Sequence, residues 1–196
     1  GNIFLDANRS ADIPEDENCS LFITGLSSNA NVHTLLEGVR DIGRVFAVHI
    51  NTPDPWRGHL TCASKISFFD RPSAYRFFRR FSTHGFPIPA HPGFLGTVVW
   101  NRVRTPTIDK PAFHTRVLLI SGPTRIVNSV ALDPFFRSKR VFEVDEVIDH
   151  GSQGAWALVE FRFGSYRSQA EAAKMALERE LPEQVRVELG RDPCDL

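Results

Sequence analysis

The sequence predicts an α+β protein built from two consecutive βαββαβ domains, each a four-stranded antiparallel sheet with two helices on one face. Three observations lead to this prediction. The 196 residues suffice for two domains of roughly 90 residues each. Short apolar runs of strand length alternate with segments in which apolar residues recur at helical spacing. The pattern also occurs twice, since LFITG at 21–25 corresponds to LLISG at 118–122.

The first half supplies the elements of one domain in order. Residues 21–26 form an apolar run that stops at a polar turn, which is typical of a buried strand. Asn31 suits the N-cap of a helix that ends at Gly43. The elements predicted after it are strands over 44–50, 60–69 and 96–104, a loop over 52–58, and a helix from Asp70 to Gly85.

The second half repeats this order. Residues 116–121 are again an apolar strand, and 141–148 alternate apolar with acidic residues, as expected of a strand with one solvated face. The other elements predicted here are helices over 129–140 and 168–179, a loop over 150–154, and strands over 155–163 and 183–189.

The domain boundaries follow from these elements. The predicted segments are a flexible acidic lead-in over 1–17, a first domain over 18–105, a short linker over 106–113, a second domain over 114–191, and a tail over 192–196. Each βαβ half must cross over right-handedly, so both helices of a domain cover the same face of its sheet. The other face is open, and there we expect the function to reside.

The net charge of zero conceals an uneven distribution. The formal charge is −4 over residues 1–17, +6 over 18–106 and −2 over 107–196. A basic first half could attract a phosphate backbone locally. The alternative is a solvated surface without a partner, and charge alone does not decide between the two.

The cysteines and the hydropathy pattern bear on location. Cys19, Cys62 and Cys194 are far apart, odd in number and form no CxxC pair, so we expect neither a disulfide framework nor a cysteine-rich zinc site. The histidines show no metal-ligand spacing. No uninterrupted apolar run of membrane-spanning length occurs, and no signal peptide is visible. We therefore expect an intracellular protein without membrane contact, metal or cofactor.

Two short motifs in the first half carry a family resemblance. The hexamer at 21–26 and the octamer at 61–68 resemble the paired signatures of the RNA recognition motif, or RRM, a ferredoxin-like fold. The resemblance implies that Phe22 lies on the open face and stacks on a base. It also implies that Ala63 and Lys65 occupy the other two stacking positions, which are aromatic in the family.

The second half carries the same pair of motifs at 118–123 and 154–161. Here the stacking positions hold Leu119, Trp156 and Leu158, so one aromatic remains where three are usual. Glu160 adds a negative charge to the same face. An apolar face edged by acidic residues favours protein docking over RNA binding.

The fourth strand of the first repeat offers a replacement for the missing aromatics. If Val99 and Val103 face the helices, then Trp100, Arg102 and Arg104 lie on the open face. They would join Phe22 and Lys65 in an aromatic and basic patch suited to single-stranded nucleic acid. The alternative is that Trp100 packs under a terminal segment or against the second repeat, with the arginines solvated.

Two functions follow from these observations. The first is a non-enzymatic RNA-binding protein that holds single-stranded RNA mainly on the open face of the first repeat. The second is an RRM-like protein-interaction module or scaffold in an RNA-processing complex. No catalytic motif or small-molecule site is visible, so we expect no enzymatic activity. A nuclear or cytoplasmic location is expected, the nucleus being favoured by the family resemblance alone.

Overall fold

A computed structural model describes residues 9–139 and 141–196 of the chain. The chain forms two compact units. Unit 1 runs up to Lys110 and also includes Pro193–Leu196, whereas unit 2 comprises Pro111–Asp192.

This division differs in detail from the predicted boundaries. It falls inside the linker predicted for 106–113, and four residues of the tail predicted for 192–196 belong to unit 1. The first eight residues of the predicted flexible lead-in over 1–17 lie outside the described residues. The remainder of that segment is bonded to unit 1, since the amide of Ala11 donates to the carbonyl of Arg104 at 3.1 Å.

Unit 1 is an antiparallel sheet with two helices. Its elements are β1 (Ser20–Leu26), α1 (Val32–Glu37), β2 (Val45–Asn51), β3 (Cys62–Phe68), α2 (Arg71–Phe81), β4 (Phe86–Pro87) and β5 (Leu95–Trp100). The strand order is β2-β3-β1-β5-β4, so β1 and β3 lie in the interior of the sheet. The predicted βαββαβ order is confirmed, and the two-residue β4 adds a fifth strand that was not predicted.

Side-chain caps explain where the helices of unit 1 begin. The Asn31 side chain accepts from the amide of Thr34 at 2.9 Å, and the Asp70 side chain accepts from the amide of Ser73 at 2.8 Å. Each bond satisfies an amide that has no partner within its helix. Helix α1 ends at Glu37, six residues before the predicted end at Gly43.

Aromatic rings join helix α2 of unit 1 to the sheet. Phe77 of α2 lies at the centre of this cluster, with ring centroids 5.6 Å from Phe68, 5.0 Å from Phe81 and 5.3 Å from Phe86. All four side chains belong to the core of unit 1. Because the helices pack on this face, the opposite face of the sheet is left for other contacts.

Unit 2 has the same element order. Its elements are β6 (Val117–Pro123), α3 (Ser129–Arg137), β7 (Val144–Gln153), β8 (Trp156–Phe163), α4 (Ala172–Glu180) and β9 (Arg186–Leu189). The strands pair antiparallel in the order β7-β8-β6-β9. A π-helical turn, Tyr166–Glu171, leads into α4. The second predicted βαββαβ repeat is thus confirmed.

A buried ion cluster lies within unit 2. The guanidinium of Arg116 donates to Asp145 at 2.7 Å, to Asp192 at 2.9 Å and to the carbonyl of Phe163 at 3.0 Å. The charged side chains are fully buried. The cluster ties the beginning of β6 to β7, β8 and the end of the unit. Sequence alone did not reveal it, because its three charged residues are distant along the chain.

The residues that follow unit 2 complete the core of unit 1. Cys194 is fully buried in that core. Its carbonyl accepts hydrogen bonds from the amides of Ile42 at 3.0 Å and Gly43 at 2.7 Å, just beyond α1. This segment therefore packs as part of the folded unit.

Candidate nucleic-acid interface

Strand alternation assigns Phe22 to the face of unit 1 that carries no helix. In β1, Leu21 and Ile23 are fully buried under the helices, and Phe22 between them points the other way. Phe22 pairs with Lys65 of β3 on one side and with Val99 of β5 on the other. Lys65 pairs in turn with His49 of β2, so one row of side chains crosses the sheet.

The open face is the floor of a cleft of about 870 Å³. The loop between β2 and β3, residues 52–61, contributes one side of the cleft, and residues 101–103 after β5 contribute another. The side chains that matter for binding chemistry are Phe22, His49, Arg57, Lys65, Asn101 and Arg102. The cleft therefore combines one aromatic ring with hydrogen-bonding and basic groups.

The charge of the cleft is positive. Arg57, Lys65 and Arg102 line it, whereas Asp54 is the one acidic residue among its lining residues. The Asp54 carboxylate lies 3.5 Å from Nε of Arg57. Burial lowers the pKa of Lys65. A partly desolvated ammonium beside an aromatic ring gains most from an anionic ligand.

Two asparagines hold the part of the cleft that carries Arg102. Nδ2 of Asn101 donates to Oγ of Ser20 at 3.1 Å, and Oδ1 of Asn101 accepts from the amide of Val103 at 3.1 Å. Nδ2 of the buried Asn18 donates to the carbonyl of Asn101 at 3.0 Å. These bonds fix the backbone on both sides of Arg102, whose side chain remains exposed.

Trp100 does not join Phe22, so its predicted orientation is wrong. It pairs with Leu21 and lies on the helix-covered side of the sheet. Its ring stacks on Phe78 of α2 with centroids 4.8 Å apart, and the guanidinium of Arg71 lies 3.7 Å from its centroid. Trp100 thus packs against the core of unit 1.

Arg104 is also separated from the predicted patch. One of its guanidinium nitrogens donates to the carbonyl of Ile13, and its amide donates to Oγ of Ser10 at 3.0 Å. Arg104 is not among the residues that line the cleft. Its side chain therefore anchors the lead-in segment.

The error in the fourth strand has a simple physical cause. The adjacent valines 98 and 99 permit two phases of alternation, and the prediction assigned Val99 to the core. In the structure Val98 is buried and Val99 is 46% exposed. Strand β5 also ends at Trp100, so alternation no longer orders the side chains from Asn101 onward. Phe22, Lys65 and Arg102 remain together in one cleft.

Some residues of the cleft were not predicted. His49 and Asn51 project from β2 on the same face as Lys65, and Asn101 lies at the end of β5. Alternation along β2 could have indicated His49 and Asn51, because Val48 and Ile50 are evident core residues. The position of Asn101 depends on where β5 ends, which the sequence does not specify.

The open face of unit 2 carries the three residues predicted for protein contact. Trp156 is 46% exposed and Leu158 is 36% exposed. Leu119, which is half-buried, pairs with Glu160 of β8. The three share the helix-free face, since the residues between them on β8, such as Ala157, are buried.

Ion pairs also lie on that face. Arg162 lies 2.5 Å from Glu146 and 2.6 Å from Glu160, and Glu160 also lies 3.0 Å from Nε2 of His150. The carboxylates already hold the guanidinium of Arg162. This arrangement leaves little positive charge for a phosphate backbone and differs from the cleft of unit 1.

The described part of the chain lacks two kinds of feature. Within residues 9–139 and 141–196, no group of three or more His, Cys, Asp or Glu side chains is arranged to hold a metal ion. None of the helices described is both long and apolar enough to cross a membrane.

Comparisons with known proteins give structural matches only. No family model and no curated protein matches the chain. RNA recognition domains 1 and 2 of Sex-lethal from Drosophila melanogaster are 16% identical, with 88% of this chain and all of that chain covered and a TM-score of 0.33. The first two RRM domains of yeast Pub1 are 13% identical, with 88% and 99% covered and a TM-score of 0.36. Three RNA-binding domains of yeast Prp24 are 7% identical, with 88% and 64% covered and a TM-score of 0.39.

The fold assignment rests on each unit taken alone. In unit 1 the strands β2-β3-β1-β5 are antiparallel neighbours, and in unit 2 the order β7-β8-β6-β9 is equivalent. Both units follow the βαββαβ sequence of elements. Each unit therefore has the ferredoxin-like βαββαβ fold. This confirms the two βαββαβ domains that the sequence predicted.

Proposed function

We propose that the chain binds single-stranded RNA in the cleft of unit 1. The observation that carries the proposal is the pairing of Phe22 with Lys65 on the open face, in a cleft that also contains Arg102. An aromatic platform beside basic side chains is the combination that single-stranded nucleic acid requires. The function involves no covalent step and no cofactor, so we infer no enzymatic activity.

The roles of the three residues differ. Phe22 offers a ring on which one base stacks, with a contribution of roughly 1–3 kcal/mol. Lys65 and Arg102 neutralise phosphates, and Arg102 can bind a phosphate through two parallel hydrogen bonds. The neighbouring side-chain amide of Asn51 can donate to and accept from a base edge.

Positions 63 and 65 hold alanine and lysine instead of aromatic residues, which lowers the RNA affinity that we expect. With one ring on the sheet, we expect micromolar binding to short RNA. Three cations in the cleft give a salt dependence of about 20-fold loss of affinity between 50 and 200 mM salt. An intracellular location, in the nucleus or the cytoplasm, accords with an RNA ligand and with three free cysteines.

Fluorescence anisotropy against a random pool of short single-stranded RNA tests the proposal. Phe22→Ala should weaken binding about 5- to 150-fold, as expected for the loss of one stacked base. Arg102→Ala should weaken binding and reduce the salt dependence. Trp156→Ala, which removes an exposed tryptophan from unit 2, is the matched control and should leave the affinity unchanged. Failure of the wild-type protein to bind RNA at low salt would reject the proposal.

A second candidate function concerns unit 2. Its open face exposes Trp156 and Leu158 beside Leu119, and it also carries the ion pairs of Arg162. This composition suits a protein partner inside an RNA-processing complex. A purified partner should bind the wild-type chain and lose affinity for the Trp156→Ala and Leu119→Asp variants, while Phe22→Ala has no effect. Equal loss with all three variants would reject a separate docking face.

A further inference from the structure

The loop between β2 and β3 carries a tryptophan that the fold does not use. The side chain of Trp56 is 99% exposed, whereas Trp100 packs against the core of unit 1. A tryptophan can bury 150–250 Å² of surface, about the largest contribution of any side chain. The indole ring of Trp56 buries almost none of its surface within unit 1.

The loop that carries Trp56 is ordered by its own hydrogen bonds. Asp54 and His59 exchange two backbone hydrogen bonds, of 2.8 and 3.0 Å. Between them, the amide of Arg57 donates to the carbonyl of Asp54 and the amide of Gly58 donates to the carbonyl of Pro55, each at 3.0 Å. The loop therefore presents the indole ring on a defined turn.

A second hollow connects this ring to the cleft. It has a volume of about 620 Å³ and is lined by the continuous stretch His49–Trp56. His49, Asn51, Thr52 and Asp54 line both this hollow and the cleft that contains Phe22. The two spaces therefore adjoin along β2, which is the outermost strand of the sheet.

We propose that Trp56 is a second base-stacking residue, and that single-stranded RNA bound on Phe22 continues across β2 to place a further base on the indole ring. This inference rests on the function proposed above. A stacking residue on the loop would compensate for Ala63 and Lys65, which occupy the sheet positions where the RRM family carries aromatic rings. One stacking surface would then lie on the floor of the cleft and the other on the loop.

The surroundings of Trp56 favour a nucleotide over a protein side chain. Besides the indole and the apolar residues Ile50, Pro53 and Pro55, the hollow is lined by an imidazole, an amide, a hydroxyl and a carboxylate, from His49, Asn51, Thr52 and Asp54. A base needs a flat apolar surface for its ring and hydrogen-bonding groups for its edge, and these residues supply both. A protein hot spot would instead surround the tryptophan with apolar contacts that exclude water.

The test compares variants of the full chain by fluorescence anisotropy with a ten-nucleotide random single-stranded RNA. Trp56→Ala should weaken binding about 5- to 150-fold, the range for one stacked base. Trp56→Phe should retain most of the affinity, because it keeps an aromatic face. Leu60→Ala is the matched control: Leu60 lies in the same loop, is 71% exposed and is not aromatic, so its truncation should have no effect.

A spectroscopic measurement separates stacking from a change in loop structure. Stacking on a base should quench the fluorescence of Trp56, so RNA should quench the wild-type protein more than Trp56→Phe. Because the ring makes no core contact, Trp56→Ala should also leave the urea unfolding transition of unit 1 unchanged.

The outcomes distinguish this inference from the function on which it rests. If Phe22→Ala weakens binding and Trp56→Ala does not, the inference is overturned and RNA binding by the cleft stands. Equal losses with Trp56→Ala and Leu60→Ala would also overturn it, since the loop conformation would then be responsible. Loss with Trp56→Ala alone would overturn the continuous path from Phe22, and absence of any RNA binding would overturn both proposals.

Discussion

Trp100 illustrates how the orientation of one side chain separates stability from binding. Stacking on Phe78 and the contact with Arg71 hold its ring against the core of unit 1. Trp100→Ala should therefore lower the free energy of unfolding of unit 1 by about 2–4 kcal/mol, the cost of truncating a largely packed aromatic residue. Urea unfolding followed by circular dichroism measures this loss.

The neighbouring valine is the control for Trp100. Val99 is 46% exposed on the opposite face, so Val99→Ala should change stability by less than about 0.5 kcal/mol. A Trp100→Ala variant that kept full stability but lost RNA affinity would contradict the observed orientation of the ring.

Substitution of Lys65 should affect RNA binding and not reduce stability, the opposite of what we expect for Trp100. Burial lowers its pKa, so the charged side chain reduces the stability of unit 1 at neutral pH. Because the folded-state pKa lies below the unfolded value, this penalty is fully present at pH values below the folded pKa. It disappears as the pH rises through the unfolded value of about 10.5. Lys65→Met should therefore leave stability at pH 7 equal or higher, while RNA affinity falls.

The two readouts for Lys65 are urea unfolding and RNA anisotropy at pH 7. Arg57→Met is a useful comparison, because Arg57 is exposed and should affect affinity through charge without a gain in stability. Lower stability together with unchanged RNA affinity in Lys65→Met would show that the lysine has a structural role.

At the scale of elements, the segment after β5 shapes the cleft. Oδ1 of the buried Asn18 accepts from the amides of Ser20 at 3.0 Å and Thr105 at 3.1 Å, and its Nδ2 donates to Asn101. Asn18→Ala should lower the stability of unit 1 by about 1–3 kcal/mol, because buried amides lose their acceptor. It should also weaken RNA binding, since Arg102 loses its fixed backbone.

An asparagine on the surface provides the control for the Asn18→Ala variant. Asn29→Ala, at an exposed turn after β1, should alter neither stability nor affinity. If Asn18→Ala destabilised unit 1 without any change in RNA affinity, residues 101–103 would not form part of the binding site.

The elements also show what sequence can and cannot predict. The caps at Asn31 and Asp70 and the buried strand at 21–26 follow from local chemistry, and the structure contains all three. The phase of β5 depends on its pairing with β1, a long-range interaction that two adjacent valines leave undecided. Phe22 was placed on the open face correctly because apolar core residues flank it on both sides.

At the scale of the whole molecule, the segment after unit 2 contributes to unit 1. Cys194 is buried in that core and its carbonyl binds two amides beyond α1. Deletion of residues 194–196 should therefore destabilise unit 1 by about 2–4 kcal/mol, through a cavity and unsatisfied amides. Thermal unfolding with probes specific for each unit should show the loss in unit 1 alone.

The exposed residue at the end of this segment provides the control. Leu196 is 64% exposed, so Leu196→Ala should leave the unfolding of unit 1 unchanged. Destabilisation of unit 2 alone after the deletion would contradict the assignment of Cys194 to the core of unit 1.

The two units also divide the proposed functions. The cleft of unit 1 has three basic residues and one acidic residue, whereas ion pairs with Glu146 and Glu160 hold Arg162 on the corresponding face of unit 2. The same fold thus presents two different surfaces, because the residues that point away from the helices are not constrained by the core. We therefore propose RNA binding for the cleft of unit 1 and not for the corresponding face of unit 2.

The most direct test is an NMR titration of isotope-labelled protein with a short single-stranded RNA. The backbone amide signals of β1, β3 and residues 101–103 should shift on binding, with saturation at one RNA per chain. The signals of β6 and β8 should remain in place. Shifts confined to β6 and β8, or no shifts at millimolar RNA, would contradict RNA binding in the cleft of unit 1.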